Sequence, residues 1–204
     1  MRLPPLHKSA ALHLAWIGGL CGTIILMLAD LLPYRLPFAT PDKFFAAVLS
    51  LEIFFVLLVW PLFVPSLLGE GMPTPMILVE VAVLLLFGLP LVLIAANVTG
   101  VDAGSVLRGQ ALVAALAALG AGVAARLRPV LPWYFLAVFW LSAAHPFWAF
   151  LGDQMGAASP RMSVYLSPFW GAVADTPGPA WVQAAVYGLG GLALLALPAR
   201  KAAA

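Results

Sequence analysis

Four ionisable side chains interrupt otherwise apolar stretches of this sequence: Asp30, Glu52, Arg108 and His145. Two acids, a guanidinium and an imidazole in that setting have the chemistry of a proton or substrate relay, because charge is costly to bury in hydrocarbon and is kept where it is used. The same set has a plainer use as a polar knot that ties helices together. Depth decides which of them can meet. Glu52 lies about nine residues into its apolar run, roughly 13 Å from the start. His145 lies about six residues, roughly 9 Å, from the end of its run. Asp30 and Arg108 stand at run ends, on the same side once the runs are threaded alternately. Glu80 sits near the opposite side, where it reaches the interface or pairs with Arg126 or Arg128.

Other chemistries are excluded more sharply. One cysteine, Cys21, rules out an internal disulfide and a Cys-based zinc or iron–sulfur site. His13 and His145 fall at different depths, so they cannot be the two axial ligands of one haem. A single-His haem or a quinone pocket lined by aromatics stays open. There is no phosphate-binding Gly-rich loop, no His-Glu-x-x-His and no Gly-x-Ser-x-Gly. Ser142 is one turn from His145, with nothing to supply an oxyanion hole. Asn97-Val98-Thr99 matches a glycosylation sequon, a common chance match.

The elements that must carry these residues follow from hydropathy. Of 204 residues, 64% are hydrophobic and only 9% charged, too few charges to build a water-facing surface. Mean hydropathy is +1.05. The net charge of +2 is too small and scattered for nucleic acid. The chain reads as all-α, a polytopic membrane bundle in one domain spanning 1–204. Each run is long enough to cross a hydrocarbon core of about 30 Å. Six spans are expected, at about Ala11–Leu32, Phe44–Leu68, Met76–Ala96, Leu107–Leu127, Val130–Leu151 and Ala180–Ala199. The first is expected to be uncleaved, since its apolar core is too long for a signal peptide. Pro61, Pro65 and Pro90 fall inside spans and predict kinks.

Lys and Arg near span ends set the orientation. With the N-terminus inside, Arg2, Lys8, Arg126, Arg128, Arg200 and Lys201 face inward, and Arg35, Lys43, Arg108 and Arg161 face outward. Both termini are then inside. Trp133, Tyr134, Trp148, Trp170 and Trp181 fall near span ends, where aromatic belts sit. The fourth span repeats small residues every four positions, at Ala114, Ala118 and Gly122 and again at Ala117, Ala121 and Ala125, which predicts a central or dimer-facing helix. Gly18 and Gly22 give the first span a similar motif. Ser167-Pro168-Phe169-Trp170, between spans five and six, is apolar but too short to cross, and predicts a re-entrant or interfacial segment.

In layout the chain resembles the membrane subunits of ABC-2 type transporters. Glu70-Gly71-Met72-Pro73-Thr74 looks like that family's cytoplasmic coupling loop. The stretch from Leu107 to Gly120 looks like its Ala/Leu/Gly-rich fourth span, and Ser167-Pro168-Phe169-Trp170 like its Ser/Asn-Pro-aromatic patch before the last span. The resemblance implies a permease-like subunit, oligomeric, in a bacterial plasma membrane, with Glu70, Gly71 and Thr74 transmitting the movement of a separate cytoplasmic ATPase. ATP would be used only by that partner. The N-terminus departs from the family in lacking a long amphipathic helix, and the loop lacks its basic residues. The alternative expectation is a non-catalytic anchor in a respiratory or photosynthetic complex, contacting lipid, quinone or pigment.

Overall fold

In a computed structural model, residues 6–28, 43–69, 71–155, 163–172 and 177–197 are described. All regular structure among them is helical. Helix α1 is Leu6–Leu28 and α2 is Phe44–Gly69. Helix α3 is Thr74–Thr99, α4 is Ala103–Arg126 and α5 is Leu131–Met155. Two short helices, α6 (Ser163–Leu166) and α7 (Pro168–Ala172), precede α8, Gly178–Ala196. Helices α2, α3, α4 and α8 are long and apolar enough to cross a membrane. Helices α1 and α5, of 23 and 25 residues, stand where the sequence predicts the first and fifth crossings.

Glycine and a capping acid set the turns. Gly71, at φ +88°, follows α2, and Met72 N–H reaches back to the Leu67 carbonyl. Pro75 then opens α3 in its first turn. Gly100, at φ +68°, ends α3, with Val101 N–H donating to the Ala96 carbonyl at 2.9 Å. This is the left-handed stop that glycine makes without a Cβ penalty. Asp102 caps α4 two residues later, accepting from the Ser105 backbone N–H at 3.0 Å. The α3–α4 connection is therefore three residues, Gly100 to Asp102. The sequence reading placed it from Asn97 to Val106. The difference is physical: hydropathy fades at Asn97, but the two caps hold the helices intact up to the turn. Thr99 of the sequon lies in the last turn of α3, its hydroxyl donating to the Ala95 carbonyl at 2.8 Å.

The Asp102 cap carries a pH dependence. The Ser105 hydroxyl, then the Ser105 N–H, hold the exposed carboxyl below its ordinary value of 3.8. The carboxylate accepts these bonds, so the cap is fully formed above that value and is lost as pH falls through the lower folded-state value. Acidification should therefore release the Ser105 amide to hydrogen exchange, with no such step in Asp102→Ala. An identical step in the variant would remove Asp102 as its cause.

Helix α4 is the centre of the bundle, packing against α2, α3, α5, α7 and α8. Its small residues explain why. A Cβ on Gly122 would fall 2.8 Å from Leu194 Cβ, and one on Gly191 would fall 2.4 Å from the Leu119 backbone nitrogen. The α4–α8 crossing thus runs backbone to backbone, the close approach that small residues permit. Gly18 and Gly22 meet nothing within 4 Å.

Helix α2 is not uniform. Its middle turn, Phe55–Val59, is a π-turn, with Trp60 N–H donating to Phe55 O. Pro61 follows at once and has no N–H to give, so the ladder is already altered where the ring stands. A Cβ on Gly120 would fall 2.8 Å from Pro61 Cγ, so α4 leaves room for the proline.

Candidate functional site

One point inside the bundle gathers groups from four helices. Glu52, on α2 just before the π-turn, has no exposed surface. Its Oε2 accepts a hydrogen bond from Gln110 Nε2 on α4. Its Oε1 has no hydrogen-bond partner. From α3, Gly88 backs onto that oxygen: a Cβ there would fall 3.1 Å from Glu52 Oε1 and 3.1 Å from Trp16 Nε1. Trp16, on α1, donates its indole N–H to the Leu84 carbonyl of α3 at 3.1 Å. Its ring lies against Phe55 of the π-turn, with centroids 4.4 Å apart. A methyl here would fit only if the Glu52 carboxyl and the Trp16 indole gave way by a few tenths of an ångström.

Gln110, Glu52 and Gly88 lie at comparable depths. Gln110 is about seven residues, roughly 10 Å, from the start of α4, and Glu52 about eight residues, roughly 12 Å, from the start of α2. Gly88 is about eleven residues, roughly 16 Å, from the end of α3. A wholly buried carboxyl with one amide partner is costly to keep at this depth, which is why it marks a site.

Gln110 also lines an apolar groove of about 510 Å³ between α3 and α4, with Leu85, Leu89 and Leu93 on one wall and Val106 and Leu107 on the other. It is the groove's only polar side chain. The glutamine therefore connects a lateral opening to the buried acid. This arrangement can take up a hydrogen-bonding group and pass the consequence to Glu52. Among the described residues it offers no nucleophile beside a base, and no cluster of His, Cys, Asp or Glu fit to hold a metal ion.

Of the four residues proposed from sequence, Glu52 and Arg108 are described in full, and they bond to different partners. Arg108 Nη2 donates to Ser105 Oγ at 2.6 Å, which donates in turn to Asp102 Oδ2 at 2.6 Å. Arg108 thus belongs to the cap at the start of α4. It stands two residues from Gln110, about 200° around the helix, so both cannot face Glu52. Asp30 and the side chain of His145 lie outside the described residues. Glu80 does not pair with Arg126; its carboxylate lies 3.6 Å from His13 Nε2, across from α1. Gln110 was missed, although it is the only polar residue of α4 between Arg108 and Arg126.

Two further polar clusters hold the ends of the bundle. Arg126 Nη2 donates to the Leu195 carbonyl of α8 at 3.1 Å and lies 3.4 Å from Thr74 Oγ1 at the start of α3. Of the expected coupling loop, Gly71 and Thr74 are described and Glu70 is not. At the other end, Gln183 of α8 donates to the carbonyls of Val164, Tyr165 and Ser167 at 3.2, 2.8 and 3.1 Å. Ser167 is wholly buried and its hydroxyl donates to the Ser142 carbonyl of α5 at 3.3 Å. Ser142 is about thirteen residues, roughly 20 Å, from the end of α5, so Ser167, Pro168, Phe169 and Trp170 return well alongside that helix.

Gln183→Leu should remove all three bonds, taking the side-chain donor from the Val164 and Tyr165 carbonyls of α6 and leaving the Ser167 carbonyl with the Gly171 N–H alone. The expected cost is about 1–3 kcal/mol. Hydrogen exchange over residues 163–172 should accelerate while α3 and α4 keep their protection. Unchanged exchange in that segment would remove the clamp.

The class of protein is then defined by its fold: an all-helical chain whose apolar helices are those of an integral membrane protein. No family model matches the chain, and neither does any curated protein or solved structure.

Proposed function

We propose that this chain is the permease-like membrane subunit of an ABC-2 type transporter, crossing a bacterial plasma membrane six times with both termini in the cytoplasm. A separate cytoplasmic ATPase supplies ATP hydrolysis. The observation that carries the reading is the tie through Arg126. It joins the start of α3 at Thr74, the end of α4 and the end of α8 at Leu195. Movement imposed on the α2–α3 turn by a docked partner would reach three spans at once, without a flexible step between. The segment containing Ser167 to Trp170, held by Gln183, would then close the outer side between the fifth and sixth crossings.

The experiment is purification of the full chain from its native membrane, followed by an ATPase assay of the complex. An ATP-binding-cassette ATPase should accompany the chain. Replacing Glu70 and Thr74 together by alanine should abolish the subunit's stimulation of hydrolysis while leaving the complex assembled. Normal stimulation in that variant would sink the coupling role.

A second reading is a membrane anchor in a larger respiratory or photosynthetic assembly. It rests on the outer face of α5, where Trp133, Phe139, Trp140 and Phe150 are all exposed. Recovery of redox or pigment subunits in place of an ATPase would favour it.

A further inference from the structure

The groove between α3 and α4 has a feature that ordinary contact with bilayer lipid does not call for. Its walls are leucine, alanine and valine, yet Gln110 stands among them, at the α4 position farthest from the α3–α4 turn. The Nε2 of that amide gives one of its two N–H groups to Glu52. What Gln110 keeps for the groove is its amide oxygen, an acceptor, beside the second N–H. Behind it lies the carboxyl oxygen Glu52 Oε1, fully buried and without a partner. A glutamine with only a structural duty to Glu52 would be better packed away from lipid, because an unsatisfied acceptor in hydrocarbon is unfavourable.

From these observations we propose that the groove is a binding site for a single-chain, uncharged amphiphile with a hydroxyl head, a long-chain alcohol, whose O–H donates to Gln110 Oε1. The head is a hydroxyl because it donates to the amide oxygen and can accept from the second amide N–H. It must be uncharged, because Gln110 lies about 10 Å below the start of α4 and a charged head cannot rest there unpaired. The chain must be single and extended. The α3 wall runs from Ala82 to Leu93, about eleven residues or roughly 17 Å. A volume of about 510 Å³ falls within the range of small-molecule sites, which are mostly apolar with few placed polar groups. The ligand arrives sideways from the bilayer, since Leu86, Leu93 and Leu107 on the rim are exposed. Binding is sensed inside the bundle, because the amide that receives the hydroxyl is the one that holds Glu52. This site does not depend on the transporter reading; it requires only that α3 and α4 face lipid.

The test uses the full chain in vesicles of phosphatidylethanolamine and phosphatidylglycerol, with a diazirine-bearing hexadecanol as photoprobe. Labels should map to the peptides holding Leu85–Leu93 and Val106–Gln110. Hexadecanol should compete at a concentration roughly three- to tenfold lower than hexadecyl methyl ether, which has the same chain and no donor, as one hydrogen bond requires. Gln110→Leu should remove that preference. Because the variant also strips Glu52 of its partner and can fold poorly, Ala82→Trp provides a second arm: it fills the inner end of the groove, leaves the Gln110–Glu52 bond in place and should suppress labelling of both peptides. Equal competition by alcohol and ether, or labels spread evenly over the exposed leucines of α1 and α8, would overturn the site and leave annular lipid contact only.

Discussion

Gly191→Ala should force α4 and α8 apart and cost about 3 kcal/mol or more, at the upper end of what overpacking a tight interior costs. The new methyl would fall 2.4 Å from Leu119 N, 2.5 Å from Ala118 C and 2.8 Å from Ala118 O. All three are backbone atoms, so no side chain can swing aside. Relief requires moving α4, the helix against which α2, α3, α5, α7 and α8 pack. Gly122, across the same crossing, would meet Leu194 Cβ at 2.8 Å and the Gly191 carbonyl at 2.9 Å, and its alanine variant should behave alike. Gly18→Ala and Gly22→Ala are the controls. They meet nothing within 4 Å, so unfolding midpoints in mixed micelles should stay at the parental value. Equal losses at Gly18 and Gly191 would mean that the crossing is not where the bundle's stability resides. Should Gly18→Leu change the oligomeric state without changing the fold, the first helix carries a seam between copies.

The second large effect is a failure of additivity at Glu52 and Gln110. Gln110→Leu alone leaves a fully buried carboxyl with no partner on either oxygen and should cost about 2–4 kcal/mol. Glu52→Leu alone strands the Gln110 amide and should cost about 1–3 kcal/mol. The double variant, with two leucines of similar volume, should return to within about 1 kcal/mol of the parent, because neither polar group is left to satisfy. Summed costs in the double variant would mean that the two side chains do not act as a pair. The same variant separates structure from use. A bundle that keeps its stability with two leucines but loses activity in the reconstituted complex identifies the pair as functional. Retained activity assigns it to packing.

What the sequence could and could not tell follows from which forces act locally. The apolar runs were legible because crossing a bilayer is a demand on composition and length. The runs at Phe44, Met76 and Leu107 meet helices α2, α3 and α4 with only a few residues' difference at the ends. The centrality of the fourth run was legible from its repeating alanines and glycines, since close approach needs small side chains wherever it occurs. The site was legible in one residue, Glu52. Its partner was hidden by a boundary error. With the fourth span started at Leu107, Gln110 reads as about 4.5 Å deep and unremarkable; from Ala103 it is about 10 Å deep. The capping residues Gly100 and Asp102 were the signal that would have moved that boundary. The role of Gln183 was not legible, because it depends on where α6 and α7 return in space. Helical phase separates Arg108 from Gln110, the residue that does reach Glu52, because positions two apart do not share a face.

Alternate threading of the helices through a membrane underlies every functional statement above, and side-specific labelling tests it most directly. In a Cys21→Ala background, cysteines placed singly at Gly71 and at Asp102 report on the turns at the two ends of α3. A membrane-impermeant maleimide applied to intact cells should label the Asp102 site and spare the Gly71 site, and inverted vesicles should give the opposite pattern. Labelling of both sites from one side of the membrane would contradict the account.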